Sequence, residues 1–164
     1  MDIVFGDKSH LHEITKIFNH YIETSNARFE EVPMSYENRL RWFEQFSPES
    51  KYQIYVALEN NSVLGFACSQ RYRPDLAFLD TVEVTIYLHE QLTGRGIGSA
   101  LYGRLLPALP IQGVHGALTG IALPNEASVN LHKRFGFREI GVFNEYAKKH
   151  GNYISSIWLE KLFD

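Results

Sequence analysis

The stretch Leu92–Gly103, LTGRGIGSALYG, decides how this chain is read. It sets Gly94, Gly96 and Gly98 at alternate positions and then runs into a helical pattern. Glycine loses more conformational entropy on folding than any other residue, so three so close together need a reason. A strand signal precedes them, with Val82, Val84, Ile86 and Leu88 alternating onto one face. A strand, a glycine-rich turn and a helix start together build an anion site. The first-turn N–H groups lack partners, the macrodipole is positive there, and glycine lets a phosphate come close. The same glycines also suit a tight turn that lets a helix pack closely, and on their own they fit both readings equally.

Two common phosphate loops are excluded. A P-loop ends in Lys followed by Ser or Thr, whereas Gly98 is followed by Ser99-Ala100. A dinucleotide fingerprint needs a third glycine and an acidic residue about 20 positions on. Here the third position falls on Leu101, and the downstream segment is the apolar Gly116-Ala117-Leu118. What remains is a pyrophosphate held by backbone alone.

Outward from this loop, the chain reads as alternating short elements. Ile3–Phe5 is a strand, closed by Gly6-Asp7. Leu11, Ile14, Ile17, Phe18 and Tyr21 recur at helical spacing, with Asp7 or Ser9 as N-cap. Residues 24–34 read as a loop, and Ser35–Phe46 as a second amphipathic helix. Tyr52–Leu58 and Ser62–Arg71 form a hairpin through Glu59-Asn60-Asn61. Leu79–Leu88 is a strand, Gly96–Leu106 a helix ended by Pro107, and Val114–Leu123 a buried strand. Asn125–Phe135 is a helix closed by Gly136, and strands Phe137–Tyr146 and Tyr153–Leu162 follow, separated by the turn Lys148–Asn152. The order β-α-α-β-β-β-α-β-α-β-β, without repeat or linker, predicts one α+β domain over residues 1–164.

Composition narrows the partners. With 164 residues, 45% hydrophobic and 21% charged, the chain has a globular protein's make-up. A net charge of -3 gives no general reason to bind nucleic acid or an anionic membrane. A single cysteine, Cys68, excludes an intrachain disulfide and fits a reducing cytoplasm. MDIVFGDKSHLHE lacks the apolar core of a signal peptide, and no stretch approaches the ~20 apolar residues of a membrane span. His10-x-His12 has no further ligand at metal spacing, so no metal is expected.

TGRGIGSALY after one strand and IALPNEASVNLHKRFGF after the next resemble the GCN5-related N-acetyltransferases. The first motif of that family is Gln/Arg-x-x-Gly-x-Gly/Ala, and Gly96-Ile97-Gly98 carries its Gly-x-Gly. Thr93 stands where the family has Gln or Arg, a departure that leaves the backbone donors in place. The second motif is an Asn opening a helix that ends in Gly-Phe, as Asn125 to Gly136-Phe137 does. NHYIETSNARF (Asn19–Phe29), TVEVTIYL (Thr81–Leu88), LPN (Leu123–Asn125) and KKHGNY (Lys148–Tyr153) look further like the phosphinothricin acetyltransferase group.

The resemblance implies a mixed, mostly antiparallel sheet flanked by about four helices, acetyl-CoA as co-substrate, a small amino-acid-like amine as acceptor, and a homodimer. It implies that the backbone of Ile86, Tyr87 and Leu88 pairs with the pantetheine and that Gly94, Arg95, Gly96, Ile97, Gly98 and Ser99 wrap the pyrophosphate. Asn125 then meets the pantetheine arm, and Lys133 or Arg134 the adenosine phosphates.

An attacking amine must be neutral, so the reaction needs a base. Glu83 is the candidate: it sits in an apolar strand where burial raises a carboxyl's pKa, although its alternation with Val82 and Val84 also suits a solvent-facing position. The family places its base here. His132 falls where many members have an acidic tyrosine, and is expected as general acid or substrate contact, with a helix-surface position as the plain alternative. N–H groups near Leu88 are expected to hold the oxyanion. Arg73 is expected to bind a carboxylate, with Phe29, Phe78 and Tyr87 around it. The group often has a second basic residue soon after the first, but Pro74, Asp75 and Leu79 occupy those places, which argues against a phosphinate. Cys68 reads as core. The rival functions are a protein N-terminal or lysine acetyltransferase and a non-catalytic acyl-CoA sensor.

Overall fold

Asn60 and Asn61 adopt φ of 51° and 64° and turn β2 (Ile54–Glu59) back into β3 (Ser62–Arg71) in the computed structural model, which describes residues 1–164. Paired left-handed residues match the right-handed twist of a hairpin. With β1 (Asp2–Phe5), β4 (Thr81–Leu88), β5 (Gly116–Ala122), β6 (Arg138–Lys149) and β7 (Asn152–Leu162) they form a seven-stranded sheet ordered β1-β2-β3-β4-β5-β7-β6. Every neighbouring pair is antiparallel except β4–β5. The α+β architecture expected from the element order is the one observed.

Period-two alternation splits the sheet's side chains between two apolar layers. Ile54, Val56, Phe66 and Cys68 pack beneath α1 (Leu11–Thr24) and α2 (Tyr36–Phe43), meeting Leu11, Ile14, Phe18 and Phe43. Tyr55, Ala57, Ala67, Val82 and Val84 face the other way, against Ile97, Leu101, Leu105 and Leu109 of α3 (Ile97–Ile111) and Leu131 of α4 (Glu126–Arg134). On β4 the even residues therefore belong to the α3 layer, and Glu83, Thr85 and Tyr87 point to the α1 side.

Several expected boundaries move. Helix α3 does not stop at Leu106 but runs through Pro107 and Pro110 to Ile111. Gly103, four residues before Pro107, is exposed, so its released carbonyl meets water, while Leu105, Leu106 and Leu109 are buried. Each of these three buried leucines contributes about 1.5–3 kcal/mol, and together they offset a penalty of ~3 kcal/mol for each proline. Helix α2 ends at Phe43, and a following turn brings Phe46 edge-on to Trp42 at 4.9 Å. Strands β6 and β7 extend further than their patterns suggest, which shrinks their connection to His150-Gly151, both at positive φ. Asp7 caps a short 3-10 turn, Lys8–His10, that leads into α1, and His10 Nδ1 accepts from Asp7 N–H at 3.1 Å, completing a capping box.

The feature that makes a site is a split in the sheet. β4 and β5 pair at Thr81–Gly116, Val82–Ala117 and Glu83–Leu118 and then diverge. β5 stays with β7 from Gly116 to Ala122, and β4 with β3 from Val82 to Leu88. The backbone of Val84–Leu88 is left without a neighbour on the β5 side.

Candidate active site

Two cavities open in the split. The larger, about 480 Å³, lies between the end of β4 and the first turn of α3. Ile86, Tyr87, Leu88, Gly94 and Gly96–Ser99 line it from one side, and Asn125, Leu131 and Arg134 from the other. Gly94 and Gly96 hold φ of 80° and 79°, a conformation that side chains resist. Gly98 serves packing instead, since a Cβ there would lie 3.0 Å from Leu131 Cδ2. The packing reading of the glycines holds at Gly98, while Gly94 and Gly96 keep the left-handed backbone that a phosphate loop needs. Gly96 is the N-cap of α3 and offers no side-chain acceptor, so the first-turn amides keep their donors. Asn125 caps α4, its Oδ1 accepting from Ser128 N–H at 3.2 Å. Arg95 pairs with Glu59 at 3.6 Å, Lys133 pairs with Glu139 at 2.6 Å, and neither lines the cavity, whereas Arg134 does.

The smaller cavity, about 230 Å³, sits on the α1 side of the split. Glu83 lies in its wall, half-buried on the α1 side of the sheet. Around it stand Arg28, Phe29, Glu30, Tyr87, Tyr146 and Trp158. Arg28 Nε donates to Glu30 Oε2 at 3.0 Å and a second donor meets Oε1, while its guanidinium lies 4.9 Å above the Phe18 ring. Tyr87 Oη donates to the Ala27 carbonyl at 3.2 Å, and Phe29 meets Tyr146 edge-on at 6.0 Å. Trp158 lies flat over Gly120, where a Cβ would be 2.8 Å from two indole carbons. The cavities share Ala27, Ile86, Tyr87, Asn125 and Ser128 and so adjoin one another.

Arg73 and Phe78 are not brought to this wall. Arg73 is exposed above the Tyr72 ring at 5.3 Å, and Phe78 packs edge-on to the same ring. The cation that does line the cavity, Arg28, lies in the loop after α1, where no periodicity marks it. Gly120, Tyr146 and Trp158 were also not legible, because each comes from a strand whose partner is set by the sheet.

Residues 14–137 match the model of the Acetyltransferase (GNAT) family. The chain belongs to this family. It is 39% identical over 158 residues to a phosphinothricin N-acetyltransferase of Streptomyces coelicolor, covering 95% of this chain and 92% of the relative. A methionine sulfoximine/methionine sulfone acetyltransferase of Salmonella typhimurium is 30% identical over 164 residues, covering 100% and 95%. The crystal structure of a GNAT phosphinothricin acetyltransferase from Sinorhizobium meliloti, in complex with acetyl-CoA, superposes with a TM-score of 0.92 at 26% identity, covering 99% of this chain and 88% of the other.

GNAT acetyltransferases use acetyl-CoA, and the larger cavity has the donors such a ligand needs. Left-handed glycines and uncapped first-turn amides suit a diphosphate, and the unpaired edge at Ile86–Leu88 suits an extended amide-bearing arm. Tyr21 Oη donates to the Leu88 carbonyl at 2.7 Å and so steadies that edge.

The electrostatics of this GNAT site separate its titratable groups. Burial raises the Glu83 carboxyl above its ordinary range, and the nearby Arg28 opposes the shift. His132 is 1% exposed, not a surface residue. Its Nε2 lies 2.7 Å from Tyr102 Oη and its Nδ1 2.8 Å from the Ser128 carbonyl, so Nδ1–H donates to Ser128 and Nε2 accepts from the tyrosine. Burial lowers its pKa, with the Ser128 bond opposing, and the ring is neutral at pH 7. Cys68 is fully buried, its thiol pushed up to about 12, which excludes a thiolate nucleophile at neutral pH.

Proposed function

We propose that this acetyl-CoA-dependent N-acetyltransferase, a single domain over residues 1–164, acetylates the α-amine of a small amino acid or analogue of the methionine sulfone, methionine sulfoximine or phosphinothricin class. The observation that carries this reading is the junction of the two cavities at Tyr87, Asn125 and Ser128, with Glu83 in the smaller one. Glu83, directly or through a water, takes a proton from the acceptor's ammonium group. The neutral nitrogen then attacks the thioester carbonyl in a ternary complex. Backbone N–H groups near Leu88 stabilise the oxyanion, the carbonyl reforms as the C–S bond breaks, and the extra proton on the nitrogen passes to the departing thiolate, leaving a neutral amide and free CoA. A thiol's ordinary pKa is near 8.5, so the thiolate leaves readily without a dedicated acid. The bonds of His132 to Tyr102 and Ser128 support a holding role for this residue rather than proton donation.

Arg28 is the one arginine or lysine lining the smaller cavity and is the partner we assign to the acceptor's carboxylate. A phosphinate needs a second positive partner, so the sulfone and sulfoximine side chains fit better. An aromatic wall of Phe29, Tyr146 and Trp158 around a cavity of about 230 Å³ favours a small molecule over a protein tail. We place the enzyme in the cytoplasm; no helix is long and apolar enough to cross a membrane. We also propose a homodimer through the edge strand β6, whose Ile140, Val142, Phe143 and Tyr146 are exposed. Tyr146 lines the cavity, which would set the active site beside that interface.

The test is a CoA-release screen over methionine sulfone, methionine sulfoximine, phosphinothricin, polyamines and peptides. The highest kcat/KM is expected for methionine sulfone or sulfoximine. Turnover confined to peptides, or acetyl-CoA binding with no turnover on any amine, would overturn the proposal in favour of a protein acetyltransferase or an acyl-CoA sensor.

A further inference from the structure

Lys149, at the end of β6, is a cation that the chemistry above does not use. It is 3% exposed, and its Nζ donates to the carbonyls of Ile22 at 2.6 Å, Ser25 at 2.6 Å and Arg28 at 2.8 Å. An ammonium group has three hydrogens, so every donor is used. Ile22 lies in the last turn of α1 and Ser25 is its C-cap, and no basic residue of α1 itself occupies that turn. A positive charge is favourable at a helix C-terminus, and here it arrives from the far end of the chain.

The third carbonyl belongs to Arg28, whose side chain lines the smaller cavity. The next residue after Lys149 adds a second tie, His150 N–H donating to Glu31 Oε1 at 2.5 Å. The segment Ser25–Glu31 is therefore pinned at both ends to one hairpin turn. Between the pins stand Ala27, Arg28, Phe29 and Glu30, all of which line the cavity. The opposing wall includes Tyr146, three residues before Lys149 on the same strand, in edge contact with Phe29. One lysine thus sets the spacing between two walls of the cavity.

We infer that Lys149 is a positioning residue for the acceptor pocket: its ammonium fixes the Ser25–Arg28 backbone and thereby places Arg28 and Phe29 against the bound amine. This rests on the smaller cavity being the acceptor site. The donor cavity shares only Ala27 with the pinned residues, so the effect falls on one substrate.

The test compares Lys149→Met with the wild type in two assays. The first is steady-state kinetics with methionine sulfone and acetyl-CoA. Lys149→Met is expected to raise KM for methionine sulfone about tenfold, the scale of lost charge-assisted hydrogen bonds, and to leave KM for acetyl-CoA within about twofold. The second is tryptic cleavage at Arg28–Phe29, whose scissile carbonyl is the one Lys149 holds. Cleavage there is expected to speed up about tenfold relative to other tryptic sites, because the local opening equilibrium shifts. A residue that only stabilises the fold would lower Tm, speed cleavage at all sites together and reduce kcat with both KM values unchanged. That pattern overturns the inference, as does an equal rise in both KM values. Should Lys149→Met fail to fold, Lys149→Arg is read by the same assays. Its planar fork keeps the charge but does not meet three converging carbonyls, and wild-type values in it overturn the inference. If the wild type acetylates no small amine, the acceptor reading fails by itself, and selective cleavage at Arg28–Phe29 still decides whether Lys149 clamps this segment.

Discussion

Gly120→Ala is the sharpest test of how the smaller cavity, the proposed acceptor site, is built. A Cβ at residue 120 would lie 2.8 Å from Trp158 Cε2 and Cζ2 and 3.3 Å from Cδ2. Carbon atoms sit comfortably at about 3.5–4.0 Å, so the indole must withdraw by roughly 0.7 Å or more. The backbone cannot yield easily. Gly120 and Trp158 are cross-strand partners in β5–β7, and Trp158 is flanked by the buried Ile157 and Leu159. The ring itself must turn, and it is part of the cavity wall. Overpacking of this kind costs about 1–3 kcal/mol. For a chain of this length each kcal/mol lowers Tm by about 2–4 °C. Thermal denaturation should show that loss, and kinetics should show a higher KM for methionine sulfone with KM for acetyl-CoA unchanged. Trp158→Leu in the same chain removes the clash, so the double variant should recover part of the stability, with a coupling of about 0.5–3 kcal/mol. A Gly120→Ala protein with wild-type Tm and acceptor KM, or a strictly additive double variant, would refute the reasoning.

Glu83→Gln should lower kcat about 10²–10⁴-fold, the usual contribution of a general base. Because burial holds the Glu83 pKa above the ordinary glutamate range, wild-type kcat/KM should fall as pH drops through that raised value, and the variant should lose this limb. Its stability should move the other way: a raised folded-state pKa penalises folding above it, so Glu83→Gln should be more stable at neutral pH, with the advantage fading as pH falls through the raised pKa and gone below the unfolded-state value. Gly96→Val places a branched side chain at a φ of 79°, costing about 1–3 kcal/mol, and calorimetric titration should show acetyl-CoA binding weakened by about tenfold or more. Arg28→Gln should raise the acceptor KM about tenfold while Arg73→Gln leaves it within about twofold, and the reverse order would move the carboxylate partner back to Arg73. Tyr102→Phe strips the buried His132 Nε2 of its donor and should cost about 1–3 kcal/mol in thermal unfolding without shifting the acid limb set by Glu83.

What the chain declares locally was readable. The alternation of β2–β4, the helical spacing of α1 and the Asn125 cap are short-range patterns, and each appears as an element close to its expected place. The glycine loop was readable for the same reason, since a left-handed backbone at Gly94 and Gly96 is a property of consecutive residues. Glu83 was legible as a charge in an apolar strand, but its side of the sheet was not; the even residues of β4 had to be seen beneath α3 first. Proline misled at α3, because sequence shows the missing N–H at Pro107 and not the buried leucines that outweigh it. Trp158 and Lys149 were missed because their meaning lies in partners far along the chain, and Arg28 because it sits in a loop whose place against the sheet only the fold sets. Trp158 rests on Gly120 through the β5–β7 register, and Lys149 reaches carbonyls more than a hundred residues away. Sequence alone determined the elements, the glycine loop and the candidate base, since local periodicity and backbone freedom are written residue by residue. Tertiary structure alone decided where β4 and β5 part, which cation enters the cavity and what holds its wall, because those depend on strand order and on charges that only the folded chain brings within bonding distance.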